Sequence, residues 1–369
     1  MKKVIFLQSK LPTDERSLVP IVLRWKSYGE LLRERDTPAD IWIFTPKPLP
    51  VKAQNLMKIS CLQFFPSVEK SASFIKRLRE LRRELSDSKE KVTLVCGDIQ
   101  QSFLIALILK LVCGNFLHIQ IQFHGDTYTY RSATGIKGFT RVCLSRLGIR
   151  RADSIRIVSK FQVDEIVRIS PSARVKLVIA PIPVDFSRVA RVSAAIRFDI
   201  AFIGRLHSER GILELIEIVR ILLTEKSGIR VVIVGDGPLR KKIESDLAPW
   251  INNSTISILG LLSGAEIQNI YASTKVLIST APKEGYGLTL REAALSNLFV
   301  IARKSKGVVE AQESFPAGIE TYSNVQEAVM SIRQRLDESR RPMDAKIEAI
   351  QVKTDAKGID RLLDSWLGG

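Results

Sequence analysis

The chain has 369 residues, of which 45% are hydrophobic and 26% are charged, and it carries a formal net charge of +17. This length is too great for one ordinary hydrophobic core, which excludes a small single-core fold and predicts two domains. The sequence contains no run of roughly 18 uninterrupted apolar residues, so it predicts no membrane-spanning helix. The best candidate, residues 103–123, is interrupted by Lys110, Gly114, Asn115 and His118.

All of the excess positive charge lies in the first half of the chain. Residues 1–198 contain 34 Lys and Arg against 17 Asp and Glu, whereas residues 199–369 contain 22 of each. The two densest segments, 76–83 and 137–156, interleave basic and apolar residues at near-helical spacing. This pattern predicts a basic amphipathic surface that contacts an anionic membrane or another polyanion. Solvated helix faces are the alternative for either segment taken alone.

The N-terminal sequence predicts a strand and not a signal peptide, because the apolar stretch after Lys2 and Lys3 covers only residues 4–7. The cysteines, at positions 61, 96, 113 and 143, show no paired metal-ligand spacing. We interpret them as buried thiols in a reducing cytoplasm. Together with the basic first half, this predicts a cytoplasmic protein with peripheral contact at the inner face of the membrane.

Strands and helices alternate over the first 180 residues. Helices are predicted near 71–86 and over 103–112, and strands are predicted over 4–7, 41–44, 92–96, 119–123, 154–159 and 175–180. Pro181 and Pro183 then prevent either regular element from continuing, so we place a domain boundary at residue 183.

The second half repeats this alternation. A predicted strand over 198–203 runs into Gly204, a helix follows over 212–223, and further strands end near residues 234, 260, 280 and 302. Alternating strands and helices predict parallel sheets. The expected fold class is therefore α/β, with two doubly wound, Rossmann-like domains that face an interdomain cleft. The expected domain limits are 1–183 and 184–355, with a final helix in 356–369.

The most informative segment runs from Glu284 to Glu292, between a predicted strand and a predicted helix, and places two carboxylates eight positions apart. Open α/β sheets bind ligands at the carboxyl ends of their strands, and the amides of residues 285–288 are expected to be unpaired at the helix N-terminus, a site for phosphate. Two acceptors on either side of one anion suit a nucleotide-sugar. A solvated turn followed by an ordinary acidic helix N-terminus is the alternative.

Four blocks of the chain resemble the family 4 retaining glycosyltransferases of the GT-B fold, which belong to the glycosyl transferases group 1. The blocks are residues 202–211 with Gly204, Arg205 and Arg210; residues 234–238 with Gly235 and Gly237; residues 258–260; and residues 284–292. The resemblance is clearest over 198–310 and extends more weakly back to about residue 119. The Gly235–Pro238 turn alone is a weak signal, because it lacks the third glycine of a dinucleotide fingerprint.

The resemblance implies a role for each matching residue. Arg205 and Arg210 would bind the donor diphosphate, Glu284 the hydroxyls of the transferred sugar, and Glu292 the ribose. Arg210 stands where the family has a lysine, so a planar guanidinium group replaces an ammonium group with a more localised charge. The donor site would also include Gly204, Gly235, Gly237, Gly285, Tyr286, Gly287 and Leu288.

The family also has a histidine that faces the donor sugar, and His124 matches it at the end of a first-half strand. The implied catalytic residues are thus His124, Arg205, Arg210 and Glu284. A buried structural role is the alternative for His124, and an ordinary salt bridge is the alternative for Arg205. The resemblance implies transfer with retention of configuration, with no metal and with the nucleotide-sugar as co-substrate and not as cofactor.

Three departures from the family pattern affect the expected specificity. Residues 7–12 replace the glycine-rich turn that the family has after the first strand. Asn297, Leu298 and Phe299 stand where the family has Gly-x-Pro, and Lys306-Gly307 replaces a glycine pair. The first domain, 1–183, is expected to bind the acceptor, a glycan or a lipid-linked saccharide in cell-surface glycan synthesis. The second, 184–355, is expected to bind a UDP- or GDP-sugar. By analogy, the final helix packs back on the first domain.

Two other readings remain open from the sequence. A GT-B nucleotide-sugar epimerase would need acid and base carboxylates in the first half, where Asp98 and Asp126 are available. A catalytically inactive GT-B protein or a polyanion-binding module would use the positive charge. Nucleic acid is disfavoured as a partner, because the basic segments contain no reading motif and no regular series of aromatic residues.

Overall fold

A computed structural model describes residues 3–8, 15–37, 39–43, 63–65, 79, 82–83, 91–114, 116–125, 135–184, 189–190, 194–339 and 357–367. The chain divides into two compact units. The first comprises Met1–Ala180 and Ile359–Gly369, and the second comprises Pro181–Gly358. The predicted boundary at residue 183 thus lies three residues after the division that the structure gives.

The first unit is built on a seven-stranded parallel sheet with the order β3-β2-β1-β4-β5-β6-β7. Its strands are Lys3–Gln8 (β1), Ala39–Ile43 (β2), Gln63–Phe65 (β3), Val92–Cys96 (β4), Leu117–Phe123 (β5), Ser154–Ile157 (β6) and Leu177–Ile179 (β7). Its helices include Glu15–Arg33 (α1), Gln101–Cys113 (α2), Gly135–Arg151 (α3) and Gln162–Ile169 (α4), with a 3-10 turn at Pro171–Lys176. The central strands β1, β4 and β5 are buried over most of their length because both faces of a parallel sheet are covered.

A C-terminal helix, residues 357–367, completes the core of the first unit. Trp366 is 1% exposed, and its ring lies 4.9 Å from that of Phe6 on β1 and 5.2 Å from that of Tyr28 on α1, both edge to face. Arg35 binds Asp360 at 2.6 Å and Asp364 at 2.9 Å. The last residues of the chain therefore pack against its first strand.

The second unit has a six-stranded parallel sheet with the order β10-β9-β8-β11-β12-β13. Its strands are Phe198–Ile203 (β8), Val231–Val234 (β9), Ile256–Gly260 (β10), Thr274–Ser279 (β11), Phe299–Arg303 (β12) and Ile319–Tyr322 (β13). Its helices are Ile212–Glu225 (α5), Arg240–Asp246 (α6), Ala248–Asn252 (α7), Gly264–Ala272 (α8), Leu288–Leu295 (α9), Lys306–Ser314 (α10) and Val325–Asp337 (α11), with a 3-10 turn at Ser208–Arg210.

Both sheets have the strand order of a Rossmann fold, in which the first strand of the unit lies next to the fourth. The second and third strands lie on one side of this pair and the later strands lie on the other, so the order in which strands are added reverses between the first and the fourth strand. In the second unit this reversal falls between β8 and β11, which pair in parallel. Buried aliphatic side chains cover the two faces of this sheet. The predicted α/β class and the two Rossmann-like units are confirmed.

Candidate functional site

The candidate site lies where β8 and β11 end. The carboxyl end of β8 leads into Gly204–Arg210, and that of β11 leads into Thr280–Gly287. Since the strand order of the sheet reverses between these two strands, their following loops diverge and leave a crevice, the place where ligands of open α/β sheets bind. The two sequence blocks that carry most of the predicted residues are therefore brought to one edge of one sheet.

Two glycines hold the loop after β8 in place. Gly235 follows β9 with a φ of +134°, and a Cβ there would lie 2.9 Å from the carbonyl carbon of Gly204 and closer still to its oxygen. A Cβ at Gly237 would lie 2.5 Å from the carbonyl oxygen of Leu206. The Leu206 amide donates to the Asp236 carbonyl at 2.9 Å. Gly235 and Gly237 thus position the β8 loop through close backbone packing.

Arg210 and Glu284 form an ion pair at this edge. Nη1 of Arg210 lies 2.8 Å from Oε2 of Glu284, and the exposed fractions of the side chains are 34% and 14%. The backbone supports the pair, because the Thr280 hydroxyl donates to the Arg210 carbonyl at 2.7 Å. Gly211 allows this approach, since a Cβ there would lie 2.8 Å from the carbonyl carbon of Thr280. Two side chains 74 positions apart in sequence are thereby held together.

The turn that follows Glu284 has the geometry expected of a helix start. Gly287 precedes α9 with a φ of +72°, in the left-handed region that glycine adopts at little cost. The expectation that all amides of residues 285–288 lack partners is wrong for Gly285, whose N–H donates to Oε1 of Glu284 at 3.2 Å. One oxygen of the Glu284 carboxylate therefore occupies this part of the turn.

Glu292 lies on α9 and is buried, with 1% of its surface exposed. Its Oε2 accepts a hydrogen bond from the Tyr271 hydroxyl at 3.2 Å. Tyr271 is fully buried on α8. The helix therefore turns the second carboxylate of the motif inward, on the side of α8.

Arg205 does not join the Arg210–Glu284 pair. Its side chain is 69% exposed and forms an ion pair with Glu209, one turn further along the loop. Its position in the β8 loop is fixed by Gly235, but the orientation of its side chain is set by Glu209. The salt-bridge alternative for Arg205 thus describes the structure as it stands.

Sequence reasoning missed the residues that hold Glu284. The Glu284 amide donates to the Ser305 hydroxyl at 3.3 Å. Gly307, near the start of α10, lies against the turn, since a Cβ there would lie 2.6 Å from the Gly285 carbonyl oxygen and closer to that of Glu284. The Lys306-Gly307 sequence was noted only as a departure from the family pattern. It is the signal that could have identified this contact.

Asn297 shows how the chain accommodates another departure. It follows α9 with a φ of +63°. Asparagine adopts the left-handed region more readily than other non-glycine residues, so it can end the helix where the family has glycine. The chain thus adopts the left-handed conformation after α9 without a glycine.

In the first unit, His124 directly follows β5 and is exposed. The turn is held by Gln162 of α4, which is fully buried and whose Nε2 donates to the Gly125 carbonyl at 2.6 Å. The Gln162 Oε1 accepts from the amides of Val158 and Ser159, at the end of β6. Gln162 therefore connects the ends of two neighbouring strands, a role that its sequence position did not reveal.

Two further first-unit carboxylates were considered as acid and base. Asp98 caps α2, because it accepts from the Gln100 amide at 2.9 Å and from the Ser102 hydroxyl at 2.6 Å. Asp126 lies outside the described residues. Next to Asp98 in the sequence, Gly97 is covered by the side chain of Gln8, so that a Cβ on Gly97 would overlap it. Gln8 thus fills space at the end of β1 where the family has its glycine-rich turn.

The predicted basic surface is confirmed only in part of its residues. Arg79, Arg82, Arg83, Arg146, Arg150 and Arg151 are exposed, whereas most of segment 76–83 and residues 126–134 lie outside the described residues. Arg156 does not belong to this surface. It is 3% exposed and donates to the Ala180 carbonyl at 3.0 Å and to Gln122 Oε1 at 2.7 Å. It is buried because β6 turns it toward its neighbouring strands.

The cysteines also differ from the prediction in one respect. Cys96 is buried and Cys113 half-buried, and burial raises the pKa of both thiols. Cys143, on α3, is exposed. Cys61 lies outside the described residues. Over the described part of the chain, no group of three His, Cys, Asp or Glu side chains could hold a metal ion, and no helix has the length and apolar character needed to cross a membrane.

Residues 187–352 match the sequence profile of the family described as glycosyl transferases group 1. The chain is also similar to the gpi3 subunit of phosphatidylinositol N-acetylglucosaminyltransferase from Schizosaccharomyces pombe, with 28% identity over 115 residues, which is 31% of this chain and 25% of the relative. It is 30% identical over 111 residues to a GDP-mannose-dependent alpha-mannosyltransferase from Corynebacterium glutamicum, which is 30% of this chain and 24% of the relative. Each of these two matches spans about a quarter of the relative's length.

Solved structures resemble the whole chain. The HepE protein of Anabaena in complex with UDP and glucose has a TM-score of 0.74 and 14% identity, and the match covers 98% of both chains. Sucrose-phosphate synthase from Thermosynechococcus elongatus has a TM-score of 0.65 and 14% identity, over 99% of this chain and 95% of its own. This likeness shows the GT-B fold. The profile match to glycosyl transferases group 1 covers residues 187–352, a little under half of the chain, so the similarity to that family is shown for this segment of the second unit.

Proposed function

We propose that the chain is a glycosyltransferase that transfers a hexosyl-type sugar from a nucleoside-diphosphate donor to a glycan or lipid-linked acceptor, as part of cell-surface glycan synthesis. The observation that carries the proposal is the Arg210–Glu284 pair, 2.8 Å apart at the point where the strand order reverses. One partner can bind phosphate and the other sugar hydroxyls. The match of residues 187–352 to the glycosyl transferases group 1 profile and the relatives' names support the same activity.

The donor would lie along the edge formed by the β8 and β11 loops. Glu284 would accept hydrogen bonds from the sugar hydroxyls, and Arg205, Arg210 and the backbone of residues 286–288 would surround the diphosphate. For this, Arg205 exchanges Glu209 for phosphate, which costs little because its side chain is 69% exposed. Glu292 would bind the ribose hydroxyls. Its burial in the structure means that only one edge of its carboxylate would be used, beside the Tyr271 hydroxyl.

The chemistry proposed for this site requires no protein nucleophile. Cleavage of the bond between the anomeric carbon and the phosphate oxygen leaves negative charge on the departing diphosphate. Arg205 and Arg210 would stabilise that charge, since preorganised cations act most strongly where charge develops. The acceptor hydroxyl would attack the face from which the diphosphate leaves, and its proton would pass to the leaving phosphate oxygen. This route gives retention of configuration and needs no metal, and it keeps His124 in the donor-sugar role implied by the resemblance.

The epimerase alternative is less well supported. It requires a free acid or base carboxylate in the first unit, and Asp98 is engaged by the Ser102 hydroxyl and two backbone amides at the start of α2. An inactive GT-B module remains distinguishable from an enzyme by its failure to turn over a bound donor.

Peripheral contact with an anionic membrane is supported by an exposed apolar stripe on α2. Leu104, Ile108, Leu111 and Val112 follow helical spacing, and Leu111 is 85% exposed. One exposed arginine acts on the end of this helix: the positive charge of Arg82 favours the Cys113 thiolate and opposes the rise of the thiol pKa that burial causes. An exposed apolar stripe with a positive charge near its end suits an anionic bilayer.

The test is a calorimetric screen of the protein against UDP, GDP, ADP and their sugar conjugates. Saturable micromolar binding of one nucleotide, lost in Arg210→Ala, is expected. Arg220→Ala, on the exposed face of α5, is the matched control. NMR of the transferred anomeric centre then tests retention, and turnover in the presence of EDTA tests metal independence. A folded protein that binds none of these nucleotides would overturn the proposal.

A further inference from the structure

Arg291 is a buried charge directly behind the turn that the donor is proposed to occupy. It lies in the first turn and a half of α9 and is 4% exposed. Burying a guanidinium costs several kcal/mol in general unless its charge is compensated, so a role for it has to be found. The family resemblance assigned no role to this position.

The contacts of Arg291 are directed at Tyr286. Its Nε donates to the Tyr286 carbonyl at 3.2 Å, and its guanidinium carbon lies 4.3 Å from the centroid of the Tyr286 ring. This combines a charge-assisted hydrogen bond with a cation–π contact on one residue. Arg291 therefore holds the backbone between Gly285 and Gly287, the centre of the turn.

A third contact joins Arg291 to α10. Its Nη1 donates to the Ser314 hydroxyl, the last residue of that helix, at 3.2 Å. The opposite end of α10 carries Gly307, which lies against the carbonyls of Glu284 and Gly285. Helix α10 therefore supports the turn at two places. Gly307 packs against the backbone of Glu284 and Gly285, and Ser314 binds Arg291, which contacts Tyr286.

Among the residues that the structure describes, no carboxylate pairs with the charge of Arg291. None of the ion pairs formed within the described part of the chain includes Arg291, whereas Arg210 and Arg303 are each paired. Its bonded partners are a carbonyl and a hydroxyl, which satisfy hydrogen bonds but do not cancel a charge. A buried, uncancelled positive charge next to a helix N-terminus adds to the attraction that the N-terminus exerts on an anion.

We propose that Arg291 is a positioning residue that fixes the Tyr286 turn and, as a buried positive charge behind it, strengthens the binding of the donor's diphosphate. This inference rests on the proposed function. Its effect is exerted through the turn, because the guanidinium is buried under Tyr286 and does not need to touch the ligand. The dependence on Arg291 should therefore follow the charge of the ligand and not its nucleoside part.

The experiment compares UDP and GDP with uridine and guanosine by calorimetry on the full chain. Arg291→Met is expected to weaken the nucleoside diphosphate that wild type binds by at least about tenfold, while the affinity for the nucleoside changes by less than about threefold. Arg291→Lys, which keeps the charge, should restore most of the lost affinity. Arg220→Met, which removes a positive charge from the exposed face of α5, is the matched control and should bind both ligands like wild type.

Each outcome separates this inference from the proposed function. If wild type binds neither nucleotide, the proposed function fails. If wild type binds a nucleotide and a folded Arg291→Met binds it equally well, or loses nucleoside and diphosphate to the same extent, only the role of Arg291 is refuted. If Arg291→Met does not fold, Arg291→Lys decides: a folded Lys variant whose diphosphate affinity falls by about tenfold would refute the role of the charge.

Discussion

Replacing Gly307 by alanine gives the sharpest test of how the site is held. The new Cβ would lie 2.6 Å from the Gly285 carbonyl oxygen and 2.9 Å from the Glu284 carbonyl carbon, where ordinary contacts begin at 3.4 Å. The turn or the start of α10 must therefore move by at least about 0.8 Å, the difference between 3.4 Å and 2.6 Å. Both opposing atoms belong to the backbone, so no side chain can rotate away to relieve the contact.

This displacement should affect stability moderately and activity strongly. Overpacking of this kind costs about 1–3 kcal/mol, which corresponds to a fall in Tm of roughly 2–12 °C for a unit of this size. A displacement approaching 1 Å at a catalytic carboxylate lowers kcat/KM by about 100-fold. We therefore expect Gly307→Ala to remain folded, with Glu284 moved relative to Arg210 and transfer reduced about 100-fold.

The assay is steady-state transfer with the donor found in the nucleotide screen, alongside thermal unfolding. Gly358→Ala is the control, because among the described residues its Cβ would meet Pro181 alone, at 3.8 Å, an ordinary van der Waals contact. Wild-type kcat/KM in Gly307→Ala would refute the reasoning that the position of the Glu284 backbone controls activity. An equal loss in Gly358→Ala would show that the effect is not specific to the turn.

The other predictions concern the site carboxylate, the membrane face and a half-buried histidine. Glu284→Gln should lower kcat/KM by about 100-fold or more, because it removes the charge that binds Arg210 and is proposed to bind the sugar. Glu217→Gln, on the exposed face of α5, is the control and should leave kcat/KM unchanged. Equal activity of the two variants would exclude a catalytic role for Glu284. Leu111→Ser should weaken binding to phosphatidylglycerol vesicles severalfold and leave donor binding unchanged. Leu213→Ser, on the second unit, is the control and should bind vesicles like wild type. If Leu111→Ser co-sediments with vesicles as wild type does, α2 is not part of the membrane-binding surface. Burial lowers the pKa of the His118 ring below its usual 6.5, so folding favours the neutral ring. The stability that depends on the neutral ring is therefore present above about pH 6.5 and is lost as the pH falls below that value. His118→Gln should reduce this fall in Tm on the acid side, and an unchanged pH profile of Tm would contradict the prediction.

The sequence was most informative where hydrophobic pattern and turn chemistry agree. A strand that ends near residue 280, a glycine-containing turn after it and a helix that follows the turn are predicted, because a buried strand, glycines in a turn and a run of helix formers each leave a local signal. The resemblance implies that Arg210 and Glu284 share one donor site, and the structure brings them together because each follows one of two neighbouring strands of a parallel sheet.

Contacts between distant segments could not be predicted in this way. Gly307 is an ordinary glycine in the sequence, and its importance depends on α10 crossing under the Glu284 turn. Arg156 belongs to a basic segment by sequence, yet its strand directs it into the first unit, toward Ala180. For Arg205 and Glu292 the sequence predicts the secondary-structure position but not the direction of the side chain. That direction depends on partners that the sequence does not reveal, Glu209 for Arg205 and Tyr271 for Glu292.

The C-terminal helix has a consequence for the order in which the protein can form. Trp366 packs on Phe6, so these two ends of the first core are separated by almost the entire polypeptide. During synthesis the first 180 residues leave the ribosome with the surface of β1 and α1 that Trp366 covers still open to water. The second unit, whose core needs only its own residues, can close before then. The unit that is translated first is therefore the one that finishes folding last, and a nascent chain stalled before residue 359 would present an aggregation-prone apolar face.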